Sequence, residues 1–417
     1  EPMPLEAISG MDMETDLLDD LVEKGLARQA DSENYDVHDL VREFLTRSME
    51  DSLSQSLHAN AAEWYRVRKG NPSESIEYIH HLHMSGDTEG LAEALSEEGH
   101  SLVKAGHIEL LGILRVLEAS LFGPRTRFVI HELTGDILSI QGRWDEAEEQ
   151  YDHALPIAVK HKLTTPLARI YSSRADLAVK KGEMDNALSL HKKALEMQIK
   201  LRDAQGAARS YNNMGYIFRR QRDNKRAIEV YGNVEELLES EDSPDLTEAR
   251  IRLASAFLEM GEMDRARDHA MKAHDETAEN NQEKLHARSR AVLGRYYARI
   301  KDNDLAMHHY TGALEILSDQ SDPRSAVEVE ILLGQVLSDA GSTEEAAQHY
   351  LDALSIAEAN DFRMMQGEIL SRLGEVESNR SQRMDYLQRS LVVFRELGAV
   401  DRMREVQNSV HRVVMGH

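Results

Sequence analysis

Residues 334–353, GQVLSDAGSTEEAAQHYLDA, carry the spaced pattern that decides the fold. A Gly opens the pattern, and a bulky apolar residue and a second Gly follow at three and seven positions. Ala then stands at twelve positions, Tyr at sixteen and Ala at nineteen. Small residues at these spacings let two antiparallel helices approach closely, and the second Gly can end the first helix with a positive φ. The stretch therefore predicts a pair of helices with an aromatic side chain filling space beside them.

The same pattern recurs through most of the chain. One unit cannot bury its apolar face alone, so neighbouring units must stack to make a core. The seventh unit departs from the pattern around residues 383–391, and we expect it to form a degenerate cap. The first positions, separated by 40, 40, 39, 40, 40 and 40 residues, are Gly135, Ala175, Gly215, Ala254, Gly294, Gly334 and Gly374.

Composition narrows the class of protein. The 417 residues include no Cys, which excludes disulfides and thiolate metal sites, and no apolar stretch approaches the ~18 residues of a membrane span. We therefore expect a cytoplasmic protein. Lys and Arg number 49 against 74 Asp and Glu, a formal charge of −25, which on average repels nucleic acid and anionic membranes. Only 8 Pro and 5% aromatic residues favour helix.

The 40-residue unit resembles the tetratricopeptide repeat (TPR), whose usual period is ~34 residues. Long units of this kind resemble those of kinesin light chains and of the sensor arms of signalling NTPases. The resemblance implies an all-α fold, a right-handed superhelix of about seven helix pairs over residues 125–417. It also implies that the first helix of each pair lines a concave, ligand-binding face.

Residues 1–50 are organised differently. Helical patterns at 14–24 and 38–49 flank two short strands at 26–29 and 35–37, which together predict a winged-helix module. Residues 17–45, LLDDLVEKGLARQADSENYDVHDLVREFL, resemble the winged helix of signal-transducing NTPases of the STAND class. Residues 51–124 resemble the helical arm that joins this module to the repeats in that class.

His38 has the most specific role that the STAND resemblance implies. Val37-His38-Asp39 matches the Met-His-Asp motif of the class, with Val in place of Met. The resemblance implies that His38 reaches the β-phosphate of bound ADP and holds an off state. Taken without the resemblance, a helix-capping or core-edge histidine is the more frequent reading of such a residue.

Catalytic and metal motifs are missing from the sequence. No Gly is followed by Lys, so there is no Walker A loop, and we expect neither enzyme activity nor a cofactor from this chain alone. ADP or ATP would bind only with an NTPase core. The start at Glu1 suggests that such a core was removed upstream, and it could also mediate oligomerisation. His80 and His83 share a helix face, but no third ligand is evident, so we expect no metal.

A basic strip is the candidate binding surface. In each repeat, the positions three and six before the small residue, and one, four and five after it, should lie on the concave face. Arginines occupy such positions in repeats two, three and five. Either Glu248 and Glu259 of unit four compensate them or an anionic ligand does, because Arg suits carboxylates. The predicted ligand-binding residues are Arg169, Lys180, Arg209, Asn212, Asn213, Tyr216, Arg219, Arg220, Arg288, Arg295 and Arg299.

Three functions compete at this point. The first is the sensor and regulatory region of a STAND-type switch, which binds an acidic protein or peptide. The second is a free-standing TPR adaptor that scaffolds protein–protein interactions. The third, a transcription regulator, is disfavoured because the helical pattern at 14–24 would repel a phosphate backbone. Its charges are Glu14, Asp16, Asp19, Asp20 and Glu23 against Lys24.

Overall fold

A computed structural model describes residues 3–4, 22–24, 27–29, 34–37, 49–67, 71–238, 243–280, 282–319 and 322–415. They belong to two compact units, unit 1 (Glu1–Leu201) and unit 2 (Arg202–His417). Within the described ranges, no helix combines the length and apolarity that a bilayer crossing would need.

Unit 1 begins with a small antiparallel sheet. Its strands are β1 (Met3–Pro4), β2 (Ala27–Gln29) and β3 (Asn34–Val37), in the order β1-β3-β2. The predicted hairpin is confirmed to within a residue, since Ala27 pairs with Val37 and Gln29 with Tyr35. The flanking helices of the predicted winged helix lie almost entirely outside the described residues, as does His38. The winged helix therefore stays a prediction.

Five helices follow the sheet in the segment that resembles the helical arm. Asn71 caps the second of them by accepting a hydrogen bond from the Ser73 amide, and Asp87 caps the third. The helices are α1 (Asp51–Arg66), α2 (Pro72–Ser85), α3 (Thr88–Glu97), α4 (Gly99–Lys104) and α5 (Leu110–Val116).

Seven helix pairs then follow, which confirms the predicted repeats. Unit 1 contains repeat one, α6 (Pro124–Ile140) and α7 (Trp144–Lys160), and repeat two, α8 (Thr164–Lys181) and α9 (Met184–Leu201). Unit 2 contains repeats three to seven and a final helix. Its helices are α10 (Ala204–Arg220), α11 (Asn224–Leu238), α12 (Pro244–Met260), α13 (Met263–Glu279), α14 (Glu283–Arg299), α15 (Asn303–Asp319), α16 (Pro323–Asp339), α17 (Thr343–Ala359), α18 (Arg363–Val376), α19 (Arg380–Glu396) and α20 (Val400–Met415).

Close approach of the two helices in a pair explains the small residues of the pattern. The Ala at twelve positions is fully buried in repeats one to six. In four repeats a buried Tyr ring lies against the first Gly: a Cβ on Gly334 would stand 2.6 Å from Tyr350 Cε1. Repeat two has Ala175 at the first position, and the smaller ring of His191 takes the place of Tyr.

The turn inside each of repeats one to six uses the left-handed backbone region, as the pattern predicted. Gly182 and Gly341 have φ of +83° and +89°. Arg222 and Lys301 occupy the same turn in repeats three and five, with φ of +61° and +63°, although side chains disfavour this conformation. The turn geometry is therefore a property of the repeat, and only some repeats have a glycine there to relieve the backbone strain.

The last repeat keeps a full-length second helix. The second helix of repeat seven, α19, has 17 residues despite its departure from the pattern. Leu387 and Phe394 of α19 are buried together with Val406 and Val413 of α20. The helix α20 thus covers an apolar face that a further repeat would otherwise cover.

Candidate functional site

The first helices of repeats three to seven enclose a cavity of about 640 Å³ in unit 2. We call it the unit 2 cavity. Its charged lining has five guanidinium groups and two carboxylates, and its apolar wall comes mainly from α14, α16 and α18. The charged residues are Arg219, Arg288, Arg295, Arg324, Arg372, Glu328 and Glu368, and the apolar wall includes Ile251, Val292, Val329, Leu332, Met364 and Met365.

The repeat itself brings these residues together. Residues 40 positions apart occupy the same place on neighbouring first helices, so Arg288, Glu328 and Glu368 form one row across α14, α16 and α18. Helical spacing of three or four then places other residues on the same face. Three of the predicted residues, Arg219, Arg288 and Arg295, line the cavity.

Several predicted arginines pair with carboxylates of α12. Arg288 and Arg252 both donate to Glu248, and Arg219 donates to Glu259. Arg209 lies 3.6 Å from Asp245. Glu248 and Glu259 thus act as the compensating residues that the sequence named, although four guanidinium groups share these two carboxylates: Arg219, Arg252, Arg288 and Arg295.

The neighbours of Glu248 and of Arg295 have opposite effects on how well each side-chain charge is stabilised. Burial alone would raise the pKa of Glu248, but Arg252 and Arg288 outweigh it and hold the pKa below its ordinary value. Burial lowers the pKa of Arg295, Glu259 opposes that change, and Arg219 and Arg299 add to it. The negative charge of Glu248 is therefore balanced by two arginines, whereas Arg295, which stays charged at neutral pH, has fewer opposite charges around it.

The remaining predicted residues of unit 2 have mixed surroundings. Asn212 is buried and donates to the Asp245 carbonyl at 2.9 Å, which ties α10 to α12 rather than offering the amide to a ligand. Asn213 is half-buried. Tyr216 is 38% exposed, with the Arg252 guanidinium 5.6 Å from its ring centre. Arg220 and Arg299 are exposed.

Arg169 and Lys180 belong to unit 1 and serve its own packing. Arg169 donates to Glu132 at 2.9 and 3.2 Å, and Glu132 is only 1% exposed. His100 Nε2 lies 2.8 Å from the same carboxylate. Lys180 Nζ donates to the Ser139 hydroxyl at 2.8 Å. Neither residue lines the unit 2 cavity.

The sequence reasoning missed part of the lining. Arg324 and Met364 stand ten positions before the small residues of repeats six and seven, and Arg372 stands two before. The counting rule began at six positions before. Arg324 lies one helical turn before Glu328, so extending the same face by one turn towards the helix start would have found it.

Histidines cluster on α1 and α2 of the arm. His58 Nδ1 lies 2.7 Å from His81 Nδ1, and the His80 ring stands edge-on to His58 at 6.0 Å. Burial, with smaller effects of His58 and His80, lowers the pKa of His81 to about 4, so the contact is between neutral rings at neutral pH. In the described part of the chain, no three His, Asp or Glu side chains converge to hold a metal ion.

The fold is a TPR array, and the cavity lies among its first helices. The family described as MalT-like TPR region matches residues 123–366, and the chain belongs to this family. No sequence match was found among curated proteins.

Solved structures share the fold. A STAND protein with a TPR sensor from Pyrococcus horikoshii matches with a TM-score of 0.67 and 16% identity, over 97% of this chain and 63% of that one. The quorum sensor NprR from B. thuringiensis matches with a TM-score of 0.57 and 14% identity, over 79% of this chain and 94% of that one. A Rap protein complexed with Competence and Sporulation Factor matches with a TM-score of 0.50 and 12% identity, over 83% of this chain and 98% of that one. The chain thus spans less than two thirds of the STAND protein, with which it shares the fold.

Proposed function

We propose that this chain is the sensor and regulatory region of a STAND-type switch, in which the unit 2 cavity binds an acidic segment of a partner protein. The observation that carries the proposal is the cavity lining, in which five guanidinium groups face two carboxylates beside an apolar wall. Guanidinium groups bind carboxylates through two parallel hydrogen bonds, and apolar walls supply most of the affinity of a concave site.

The similar structures support a binding role. One of them is described as a STAND protein with a TPR sensor, and another as a Rap protein in complex with a factor. They support protein binding by the repeats, and the arginines of the cavity support an acidic partner.

We extend the proposal to the switch itself. The chain carries the binding function in the cytoplasm, while ADP and ATP bind an NTPase core to which this region would be joined. His38 then contacts the nucleotide phosphate only in the off state. In the protein with its core, His38→Ala should speed ADP release and raise basal activity. Unchanged ADP release would return His38 to a structural role.

A peptide selection tests the binding site. A phage-displayed random peptide library is selected on the full chain, and the enriched peptides are measured by fluorescence anisotropy. Arg324 and Met364 line the cavity and their side chains are 68% and 49% exposed, so changing both to Glu should leave the fold intact. This variant should reduce the affinity of the enriched peptides by about tenfold or more.

The matched control changes an arginine and a methionine outside the cavity. Arg267→Glu with Met271→Glu alters the exposed face of α13, where the side chains are 50% and 38% exposed. It should bind the enriched peptides as the unchanged protein does. Equal affinity of the cavity variant and the control, or failure to enrich any peptide, would contradict the proposed function.

A further inference from the structure

The carboxylate of Glu259 is already engaged before any ligand arrives. Arg219 donates to its Oε1 atom, and Asn224 donates to Oε2 at 3.1 Å. Arg295 Nη2 stands 4.0 Å from Oε1, which is too far for a hydrogen bond. Arg295 therefore lies in the cavity as a loose ion pair with Glu259 and makes no hydrogen bond to that carboxylate.

Positive charge accumulates around Arg295. Arg219 stands on one side of Glu259, and Arg299 follows Arg295 by one turn of α14. Burial lowers the pKa of Arg295, and both arginines contribute to the same direction. The neighbouring carboxylate, Glu248, is occupied by Arg252 and Arg288. The position around Arg295 thus carries an excess of positive charge that one further carboxylate would reduce.

An apolar wall begins directly beside this position. Val292 precedes Arg295 by one turn on α14 and therefore shares its face, while Val329 and Leu332 come from α16 and Met365 from α18. Methionine is flexible and polarisable, so it can adapt to different apolar side chains. The wall suits one bulky apolar side chain next to the carboxylate.

Resting on the proposed function, we propose that the unit 2 cavity recognises a partner-protein segment in which an acidic residue stands close to a bulky apolar residue. The carboxylate binds Arg295, and the apolar side chain packs against Val292, Val329 and Met365. Arg295 determines the requirement for an acidic residue, and the wall determines the requirement for an apolar one.

The first test uses peptides enriched from the random library described above. They should share an acidic residue near a bulky apolar one. Arg295→Met should weaken their binding by about tenfold or more. Replacing the peptide's acidic residue by its amide should weaken binding of the unchanged protein by a similar factor. It should cause no further loss with the Arg295→Met variant, because both changes remove one contact.

Three further variants separate recognition from folding. Glu259→Gln removes the competing carboxylate and should strengthen binding of the acidic peptide, an effect that a purely structural role would not give. Met365→Gln should weaken the binding of the acidic peptide and of its amide analogue by the same factor. Arg267→Met, outside the cavity, should leave both affinities unchanged.

Failure of this inference can be told from failure of the proposed function. If Arg324→Glu with Met364→Glu weakens the peptides while Arg295→Met does not, the cavity binds peptides but Arg295 does not select them, and the inference is overturned alone. A lower melting temperature of Arg295→Met with unchanged affinity would likewise assign Arg295 to the fold. If the cavity variant itself has no effect, the proposed function and the inference both fail.

Discussion

The first helices of the two units carry charges in opposite situations. In unit 1, Glu132 is buried and bonded by Arg169 and His100. In unit 2, Arg295 lines a cavity of about 640 Å³, and its nearest carboxylate is engaged by other groups. The repeat determines which face these residues share, but the number of opposite charges around each one decides whether it serves the fold or a ligand.

The largest stability difference between the units should come from their glutamates. Glu132→Gln in unit 1 removes the charge that Arg169 and His100 share, and should lower the free energy of unfolding by about 2–3 kcal/mol. Glu328→Gln in unit 2 is the control, since its side chain is 58% exposed and 3.5 Å from Arg324. It should change stability by less than ~1 kcal/mol. Urea unfolding measures both, and equal losses would erase the contrast between the units.

The pair formed by a small residue and a ring in one repeat can be transferred to another repeat. Gly334→Ala in unit 2 places a Cβ 2.6 Å from Tyr350 Cε1 and should cost about 2 kcal/mol, because a packed ring has no room to move. Adding Tyr350→His recreates the Ala175 and His191 pair of repeat two. The double variant should recover part of the loss in thermal unfolding. A double variant less stable than Gly334→Ala alone would show that the pair is not transferable.

Asp136 of unit 1 should make the stability of the protein depend on pH. Burial, with Glu132 nearby, raises the pKa of Asp136 to about 6, while the Tyr151 hydroxyl donates to it at 2.7 Å. Because the folded pKa lies above the unfolded value, the folded state binds the proton more tightly, and stability rises as pH falls from above 6 towards 4. Asp136→Asn, which keeps an acceptor for Tyr151, should stabilise the protein at pH 7.5 by on the order of 1 kcal/mol.

The Asp136→Asn advantage should shrink steadily between pH 6.5 and pH 4.5, where the unchanged residue becomes protonated. Comparing the two proteins at each pH cancels the effects of other titrating groups. A constant difference across this range would mean that Asp136 is not the group whose proton is bound on folding.

The smallest expected effect concerns the turns. Unit 1 has Gly142 and Gly182 where unit 2 has Arg222 and Lys301 at φ of +61° and +63°. Replacing Arg222 or Lys301 by Gly relieves the strained backbone but adds freedom to the unfolded chain, so we expect a net gain of about 0.5–1 kcal/mol. Thermal melts measure the gain, and a loss of stability in both variants would show that these side chains stabilise the turn.

Much of the fold could be predicted because it depends on period. The spacing of 40 residues predicts the helix pairs, the buried Ala and, in repeats one to six, the turn conformation. The paired strands at 27–29 and 34–37 were also predicted, since the sequence Asp31-Ser32-Glu33-Asn34 is typical of a turn, which is a local signal. Repeat seven departs from the pattern in α19, which nevertheless packs against α18 and α20.

The site was predicted less completely for a physical reason. Period identified the rows of arginines and named Glu248 and Glu259 as possible partners. It could not say that Arg288 shares Glu248 with Arg252, because side-chain conformations across helices decide such pairings. Nor could it show that Asn212 is buried and bonded to a carbonyl, since that depends on how closely α10 and α12 approach.

The most direct test of the central claim is to locate a bound peptide on the surface. A photo-crosslinking residue, p-benzoylphenylalanine, replaces Met364 at the unit 2 cavity in one variant and Met271 on α13 in another; the two methionines are 49% and 38% exposed. Each variant is irradiated with an enriched, labelled peptide. The account predicts crosslinking from position 364, suppressed by excess unlabelled peptide, and none from position 271. Crosslinking from 271, with none from 364, would contradict it and place the binding surface elsewhere.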